Sequence, residues 1–98
     1  MNIQAMMKQA QKLQKDMMSE KSKIDEMIFT SKKSFVTVNM KGTKEVVSVL
    51  IENDTMEKDD IEMLQDLILV CVNDCIHQID SETEKRLGKY TQGMPGLF

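Results

Sequence analysis

The sequence contains no tryptophan, one proline, one histidine and one tyrosine in 98 residues. Its two cysteines, Cys71 and Cys75, are too few for the disulfide scaffold of a small secreted domain. The longest apolar run, Leu67 to Val72, is six residues long, whereas a membrane-spanning helix needs about 20. Residues 1–4 have neither the basic nor the apolar stretch of a secretion signal. We therefore expect a cytoplasmic protein with no membrane partner.

Hydrophobic residues make up 41% of the chain and charged residues 30%, a balance typical of a globular domain rather than a disordered or fibrous chain. A chain of this length has room for one modest core. We expect a single domain over residues 1–98, with residues 1–87 structured. Gly88 and the segment 93–96, which contains two glycines and the proline, predict a flexible tail over residues 88–98.

The net charge of −3 conceals opposite charges in the two halves of the chain. Residues 1–44 hold nine lysines and four carboxylates, whereas residues 45–98 hold four basic side chains and twelve carboxylates. Such an asymmetry is one sign of a polyanionic partner for the basic part. A solvated basic helix is the more common cause, so charge alone leaves both interpretations open.

The first part of the chain has the periodicity of an amphipathic helix. Apolar residues recur at alternating steps of three and four, and Glu20 alone interrupts eight positions. The apolar positions are Ile3, Met6, Ala10, Leu13, Met17, Ile24 and Met27. A helix over residues 3–27 would be roughly 37 Å long and would extend beyond a domain of this size. Its apolar side therefore needs a partner helix in the same chain or a second copy of the protein.

Two segments in the middle of the chain alternate between apolar and more polar residues, as strands do. They are residues 36–40 and residues 47–51. The Gly-containing segment 41–44 between them supplies a turn and completes a hairpin. Residues 28–34 are either a third strand or a loop.

A second long helix is predicted next, because an acidic segment at residues 53–60 precedes a helical stripe from Ile61 to Ile79. The middle of this helix is apolar nearly all round, and a small sheet covers only one side of a helix. A second copy of the protein is the simplest cover for the other side. The residues predicted at this dimer interface are Leu67, Ile68, Val70, Cys71 and Val72. Helices flanking a run of strands indicate an α+β domain, with an antiparallel sheet of two or three strands between two long helices.

The sequence contains no credible catalytic constellation. Cys71 and Cys75 are four residues apart on one helix face, His77 lies off that face, and metal sites usually need further ligands from tight turns. Both cysteines are better explained as buried apolar residues. We therefore expect no enzymatic activity, no metal, no cofactor and no small-molecule substrate.

The best candidate for a functional surface is basic. Three lysines of the first helix are spaced i, i+4 and i+7 on one face, opposite its apolar side. Three further basic residues cluster near the end of the second helix. Aromatic residues make up 4% of the chain, too few for a platform that stacks single-stranded bases, which leaves the backbone of a duplex. On the residues alone, a DNA duplex and a partner protein are about equally favoured. The candidate DNA-binding residues are Lys8, Lys12, Lys15, Lys85, Arg86 and Lys89.

Several segments together resemble one known family. The segment Met6-Met7-Lys8-Gln9-Ala10-Gln11-Lys12-Leu13-Gln14 is similar to the opening of the YbaB/EbfC family of bacterial nucleoid-associated proteins. The strand segment 45–51, the helix segment 63–68 with Asn73-Asp74 after it, and the ending 93–98 also resemble that family. The resemblance covers essentially the whole chain, in order and without large gaps.

The resemblance implies a tweezer-like homodimer with long helices projecting from a sheet core, binding to double-stranded DNA in the nucleoid, and effects on nucleoid organisation and gene expression. Twelve of the 13 basic residues are lysines, which do not make the bidentate base contacts of arginine. We therefore expect little sequence selectivity. The alternative is a dimeric adaptor whose projecting helices clasp another protein.

Overall fold

The computed structural model describes residues 2–91. The elements follow one another as helix α1 (Ile3–Glu26), strands β1 (Ile28–Lys33), β2 (Val36–Lys41) and β3 (Val46–Ile51), and helix α2 (Lys58–Thr91). Three antiparallel strands therefore lie between two long helices along the chain, which confirms the predicted α+β architecture.

Helix α1 begins after Asn2, whose side-chain oxygen accepts a hydrogen bond from the backbone N–H of Ala5 at 3.3 Å. Asparagine is favoured there because it satisfies one of the free N–H groups of the first turn. No glycine or proline interrupts the 24 residues of the helix. The helix ends where Met27 turns to extended backbone, and the N–H of Met27 donates to the carbonyl of Ile24. The helix predicted over residues 3–27 is confirmed to within one residue.

The sheet has the strand order β1-β2-β3, and both neighbouring pairs are antiparallel. Its inner face, the one that packs against α2, carries the buried side chains of Val36, Val38 and Met40. Its outer face carries a polar row across all three strands. There the side chain of Asn39 accepts from the Thr30 hydroxyl at 2.5 Å and donates to the Ser48 hydroxyl at 2.9 Å. The alternation of strand side chains thus gives one apolar face and one polar face.

Residues 28–34, for which the sequence allowed either a strand or a loop, contain β1. A tight turn after Lys33 joins β1 to β2, and Ser34 adopts a φ of 52° in the left-handed region. The register then pairs Lys33 with Val36 and Ile28 with Lys41. The sheet therefore has three strands, the upper end of the predicted range.

Helix α2 lays one side across the inner face of β1 and β2. Cys71 and Cys75 are fully buried there. The thiol of Cys71 donates to the carbonyl of Val36 at 3.8 Å, and the thiol of Cys75 donates to the carbonyl of Val38 at 3.6 Å. Both cysteines are free, and they serve as small core residues, as the sequence predicted.

Beyond the sheet, α2 packs against α1. The two helices run antiparallel. The end of α1, at Ile24, lies against the β2–β3 turn, where Lys44 pairs with Asp80, whereas Glu20, one turn earlier in α1, reaches Arg86 farther along α2. Ile24 and Leu87 are buried in this part of the molecule. The result is an elongated molecule of 71 × 21 × 15 Å, in which the pair of helices projects beyond the sheet.

Gly42, in the turn between β2 and β3, lies against the end of α1. A Cβ atom at this position would lie 1.8 Å from the carbonyl oxygen of Ile24 and 2.4 Å from its carbonyl carbon. Since both atoms belong to the backbone, no side-chain rotation relieves the overlap. The absence of a side chain at Gly42 is therefore what lets the sheet and α1 meet.

Helix α2 is longer than predicted. It continues through Gly88 to Thr91, whereas the glycines and the proline predict a flexible tail from residue 88. A glycine near the end of a helix weakens it without ending it when the neighbouring residues hold the turn. The rest of the predicted tail, residues 92–98, lies outside the described residues.

Candidate nucleic-acid interface

Lys8, Lys12 and Lys15 lie on one face of α1, and all three are exposed. At 100° per residue their side chains fall within roughly 60° of one another. Ile24, the buried residue of α1, projects from the opposite side of the helix. Within residues 2–91, no carboxylate forms an ion pair with any of these three lysines. The predicted basic face therefore points to solvent with its charges uncompensated.

This basic face lies on a part of α1 that the described chain does not cover. Every residue from 2 to 15 is exposed. Glu20 of α1 faces Arg86 of α2, and α2 is described to Thr91, five residues beyond Arg86. Because the helices are antiparallel, the corresponding position on α1 is five residues before Glu20, at Lys15. The first half of α1 therefore extends past the described end of α2, as the predicted overhang required. We call residues 3–23 of α1 and residues 80–91 of α2 together the arm.

Lys85 and Lys89 lie on α2 within the arm. Both are exposed and, being four residues apart, they share a helix face. The ammonium of Lys89 lies over the ring of Tyr90, 5.0 Å from its centroid, a favourable cation–π contact that holds the side chain against the helix. These two lysines are available to a polyanion, on a different helix from the first three.

Arg86, the sixth predicted DNA-binding residue, is already engaged within the chain. Its Nε donates to Glu82 at 2.5 Å and its Nη1 donates to Glu20 of α1 at 3.2 Å. The hydrogen bonds that Arg86 donates to Glu82 and Glu20 raise the pKa of its guanidinium further. A phosphate would have to displace two carboxylates to reach Arg86, so the structure makes it a link between α1 and α2 rather than an exposed cation.

Sequence reasoning missed this link, although the chain carried a signal for it. Glu20 is the one residue that interrupts the apolar seam of α1. In the structure it accepts hydrogen bonds from Lys23 and Arg86, which lower the pKa of its carboxyl below the ordinary value. A carboxylate at a seam position needs a cation from the facing helix, and Arg86 is the only arginine of the chain.

A shallow cleft lies at the base of the arm, where α1, the β2–β3 turn and α2 meet. Its lining includes Lys21, Lys44 and Thr83. Lys21 pairs with Asp25, and Lys44 pairs with Asp80 at 3.1 Å. Because both ammonium groups already have carboxylate partners, this cleft is a weaker anion site than the outer face of α1.

The predicted dimer-interface residues do not form one surface. Cys71 is fully buried against β2 within a single chain, so it cannot contact a second copy; this part of the prediction is wrong. Ile68 projects towards the same sheet and packs on its core. The remaining three lie on the sides of α2, with Leu67 and Val72 half-buried and Val70 exposed.

The sides of α2 are identified by two contacts. Gln78 donates to the carbonyl of Thr30 on β1 at 3.0 Å, whereas Asp80 pairs with Lys44 beside β3. By helical spacing, Leu67 and Val70 lie on the β1 side with Gln78, and Val72 lies on the β3 side with Asp80. The apolar middle of α2 therefore packs one face on the sheet of its own chain, and its other two sides lie towards β1 and towards β3.

Among residues 2–91, no three His, Cys, Asp or Glu side chains are grouped so that they could hold a metal ion. Burial raises the pKa of the Cys75 thiol, which disfavours the reactive thiolate form. No helix in the described part of the chain is long and apolar enough to cross a membrane.

Comparison with known proteins identifies relatives of the whole chain. A family model described as the YbaB/EbfC DNA-binding family matches residues 1–94. A nucleoid-associated protein of Enterococcus faecalis is 41% identical over 98 residues, which cover 98% of this chain and 94% of that protein. A nucleoid-associated protein of Oceanobacillus iheyensis is 46% identical over 101 residues, which cover 99% of this chain and 97% of that protein.

A solved structure has the same fold. The uncharacterized protein HP0035 from Helicobacter pylori superposes with a TM-score of 0.73, covering 94% of this chain and 98% of that one, at 22% sequence identity. At that identity the likeness bears on the fold alone. It agrees with the arrangement of two long helices around a three-stranded sheet.

Proposed function

Because this chain belongs to the YbaB/EbfC DNA-binding family, we propose that it is a nucleoid-associated protein that binds double-stranded DNA as a homodimer with little sequence selectivity. The observation that carries the proposal is the row of Lys8, Lys12 and Lys15, which has no carboxylate partner within residues 2–91 and lies on the half of α1 that those residues leave uncovered. A straight row of cations on a projecting helix is suited to the phosphates of a duplex.

The charge distribution supports an approach by the arm. Residues 3–23 hold five lysines and two carboxylates, whereas residues 52–66 hold one lysine and seven carboxylates. DNA would be repelled by the acidic segment and attracted to the arm, which orients the encounter. An acidic protein can therefore bind an acidic polymer through one end.

The residue types support weak sequence selectivity. Lysine contributes a point charge that suits phosphate, whereas the planar fork of arginine is the usual partner of guanine. The single arginine, Arg86, is held by Glu20 and Glu82. Contacts to phosphates position a protein on the duplex and carry no direct sequence information.

The size of the core supports a homodimer. In the described part of the chain, eight hydrophobic side chains are buried, whereas sixteen large hydrophobic side chains are exposed. A single copy therefore leaves much of its apolar surface in water, and a second copy would remove part of it. Two copies would carry two arms, and linked arms bind one polymer more tightly than separate arms.

From these features we infer a place on the bacterial nucleoid, within the cytoplasm, and effects on nucleoid organisation and gene expression. A protein that contacts phosphates at many sites changes how the duplex is packed and reached by other proteins. No substrate or cofactor enters this function.

The test is a triple variant, Lys8→Glu, Lys12→Glu and Lys15→Glu. We expect it to abolish binding to several unrelated duplexes in gel shifts while leaving the mass of the dimer unchanged. The matched control is Lys33→Glu, Lys41→Glu and Lys58→Glu, which changes the net charge equally at exposed lysines outside the arm. Equal DNA affinity in the triple variant and the wild type would exclude α1 as the contact surface and transfer the proposal to Lys85 and Lys89.

One observation favours an adaptor as the second candidate function. The uncovered half of α1 also exposes apolar side chains, among them Ile3, Met6 and Leu13, which could bind a helix of a partner protein. Salt separates the two candidates, because phosphate contacts release counterions. DNA binding should weaken steeply with salt, whereas apolar binding to a protein should not.

A further inference from the structure

The apolar side of α1 loses its cover in steps towards the beginning of the helix. Ile24 is 0% exposed and Met17 is half-buried, whereas Leu13 is 50%, Met6 is 54% and Ile3 is 69% exposed. Met6 precedes Ile24 by five helical turns and therefore projects to the same side of α1. The side of α1 that belongs to the core at one end is thus uncovered at the other end by residues 2–91. We call Ile3, Met6, Ala10 and Leu13 the open seam.

The seam becomes open where the described part of α2 stops. Leu87 and Tyr90 lie on the side of α2 that faces α1, because they are one and four residues after Arg86. Leu87 is buried and Tyr90 is half-buried. Thr91, the last described residue, lies level with Lys15 of α1. From residue 15 to residue 3, α1 continues for roughly 18 Å at the helical rise.

This half of α1 needs an apolar contact to remain helical. Residues 2–15 are all exposed, and a helix shorter than about 12–15 residues is marginal in water without tertiary packing. The side chain of Asn2 satisfies one free N–H group of the first turn, that of Ala5. That single hydrogen bond does not replace packing. A cover over the open seam would supply the contact.

The residues that follow α2 have the composition of such a cover. Residues 92–98 carry no charge, in a chain of which 30% is charged, and they include the apolar residues Met94, Leu97 and Phe98. Pro95 cannot continue a helix, and a residue that precedes proline favours extended backbone. We therefore expect segment 92–98 to leave the helix and run extended.

The length of segment 92–98 matches the length of the open seam. Its seven residues span at most roughly 25 Å when extended, and the distance along α1 from residue 15 to residue 3 is roughly 18 Å. The segment also starts on the correct side, since α2 faces α1 at Leu87 and Tyr90. It can therefore follow the open seam without a reversal of the chain.

We propose that segment 92–98 packs along the open seam of its own chain. Met94 then lies near Leu13, and Leu97 and Phe98 lie near Met6 and Ile3. A segment attached beside its binding surface docks at a high effective concentration. The glycines and the proline, which predict a flexible tail, end the helix, and the apolar side chains hold the segment in place.

This contact divides the arm into two faces with different roles. Lys8, Lys12 and Lys15 lie opposite the open seam and stay free for phosphates. DNA is a poor occupant of the seam itself, because the seam is apolar and phosphates are charged. A helix of a partner protein would have to displace segment 92–98. The inference rests on neither DNA binding nor the homodimer.

A single tryptophan provides the most direct test, because the chain contains none. Phe98→Trp exchanges one large aromatic side chain for another and places an indole at the proposed contact. We expect its fluorescence to be shifted to shorter wavelength than that of an indole in water. We also expect acrylamide to quench it several-fold less efficiently. An indole that is quenched as in water would overturn the proposal.

Two matched pairs of substitutions in the Phe98→Trp chain locate the contact on α1. Met6→Gln with Leu13→Gln removes apolar side chains from the open seam and should make the indole accessible to acrylamide. The control is Met7→Gln with Met18→Gln, at residues that are 56% and 61% exposed on other sides of the helix. It should leave the indole protected. Glutamine is nearly as favourable in a helix as methionine or leucine, and circular dichroism of both variants establishes that α1 is kept. Equal quenching in the two variants would contradict a contact at the seam.

Hydrogen exchange gives a second readout, from the side of α1. Leu97→Ser with Phe98→Ser should make the backbone amides of residues 7–15 exchange about tenfold faster than in the wild type, because the helix loses its cover. Gln92→Ser, in the same segment, should leave their exchange unchanged. Unchanged exchange in the double variant would show that segment 92–98 does not cover α1.

Mixed chains establish which copy the segment covers. Chains with Phe98→Trp are unfolded and refolded with a large excess of chains that carry Met6→Gln and Leu13→Gln. The indole should stay protected, because its own chain supplies the seam. An indole that becomes accessible would place the segment on the second copy and overturn the proposal. Since the quenching and exchange readouts require neither DNA nor the mass of a dimer, their failure would leave the proposed function intact.

Discussion

The arm and the inner face of β3 both expose apolar side chains, yet their surroundings differ. On the arm, Ile3, Met6 and Leu13 share the helix with a row of exposed lysines. On β3, Val49 and Ile51 continue a buried sheet face and are followed by an acidic segment. Exposure alone therefore does not identify a partner. The neighbouring charge and the continuity with the core distinguish the two regions.

The largest expected effect on stability comes from disturbing the contact between the β2–β3 turn and the end of α1. In Gly42→Ala the new Cβ would overlap the backbone of Ile24, and we expect a loss of about 3 kcal/mol in the free energy of unfolding. Thermal and urea unfolding measure it. The control is Gly88→Ala, where the Cβ meets only the flexible end of Glu84 at 3.0 Å; we expect a gain of up to about 1 kcal/mol there. Equal stabilities of the two variants would contradict the role assigned to Gly42.

Salt should weaken the binding of DNA by the arm and leave the dimer unchanged. With six lysines from two arms on phosphates, the slope of log affinity for DNA against log salt should be about −5. Affinity should then fall roughly a thousandfold between 50 and 200 mM salt. The dimer, held by apolar burial, should keep its mass over the same range. Fluorescence anisotropy of a labelled duplex and light scattering measure the two quantities, and a dimer that dissociates as salt rises would contradict the comparison.

A smaller effect is expected on the DNA affinity of the arms when the dimer is lost. Leu69 is an exposed apolar residue in the middle of α2, and a charge there opposes its burial by a second copy. A monomeric Leu69→Glu variant keeps every lysine of the arm, but its arms bind independently. We expect its affinity for a long duplex to fall about a hundredfold because linked sites act at a high effective concentration. On a short duplex that accommodates one arm, it should match the wild type. Titration of the long and the short duplex measures both affinities. An equal loss of affinity for the two duplexes would mean that the substitution disturbs the arm itself.

The smallest expected effect is a change in stability when the ion pair between Glu20 and Arg86 is removed. Hydrogen bonds from Lys23 and Arg86 lower the pKa of Glu20 in the folded chain. The stability that this carboxylate contributes is therefore present above its ordinary value of 4.5 and is lost as the pH falls through the lower folded pKa. Glu20→Gln should lower the melting temperature slightly at pH 7, and the difference from the wild type should shrink below pH 4.5.

The control for the link is Glu45→Gln, because the side chain of Glu45 forms no ion pair within residues 2–91. Its melting temperature should follow the wild type at every pH. A difference between Glu20→Gln and the wild type that grows as the pH falls would contradict the direction assigned to Glu20.

Much of the fold could be predicted from local patterns. The period of α1 predicted its length and its overhang, and the alternation of residues 36–40 and 47–51 predicted the hairpin. The sequence did not distinguish a third strand from a loop at residues 28–34, because Lys32-Lys33-Ser34 suits a turn as well as a strand end. In the structure these residues form β1, which pairs with β2. The end of α2 was misjudged because a single glycine in a helix is a weak stop signal.

The candidate site was predictable only in part. The spacing of Lys8, Lys12 and Lys15 placed them on one helix face, and the structure agrees. The engagement of Arg86 was not predictable, because it depends on which residue of α1 faces α2 across the arm. Glu20, a carboxylate in an apolar seam, was the only sign of it.

The residues that share a helix face or a strand face follow from the order of the amino acids alone, since the periods of 3.6 and 2 are properties of the backbone. That order therefore determined the two helices, the hairpin, the row of lysines and the surplus of apolar residues. Which apolar residues are covered depends on the packing of the whole chain, because the path of α2 over β1 and β2 is set by contacts between distant segments. That path buries Cys71, leaves Leu69 and Val70 exposed, and leaves the inner face of β3 exposed.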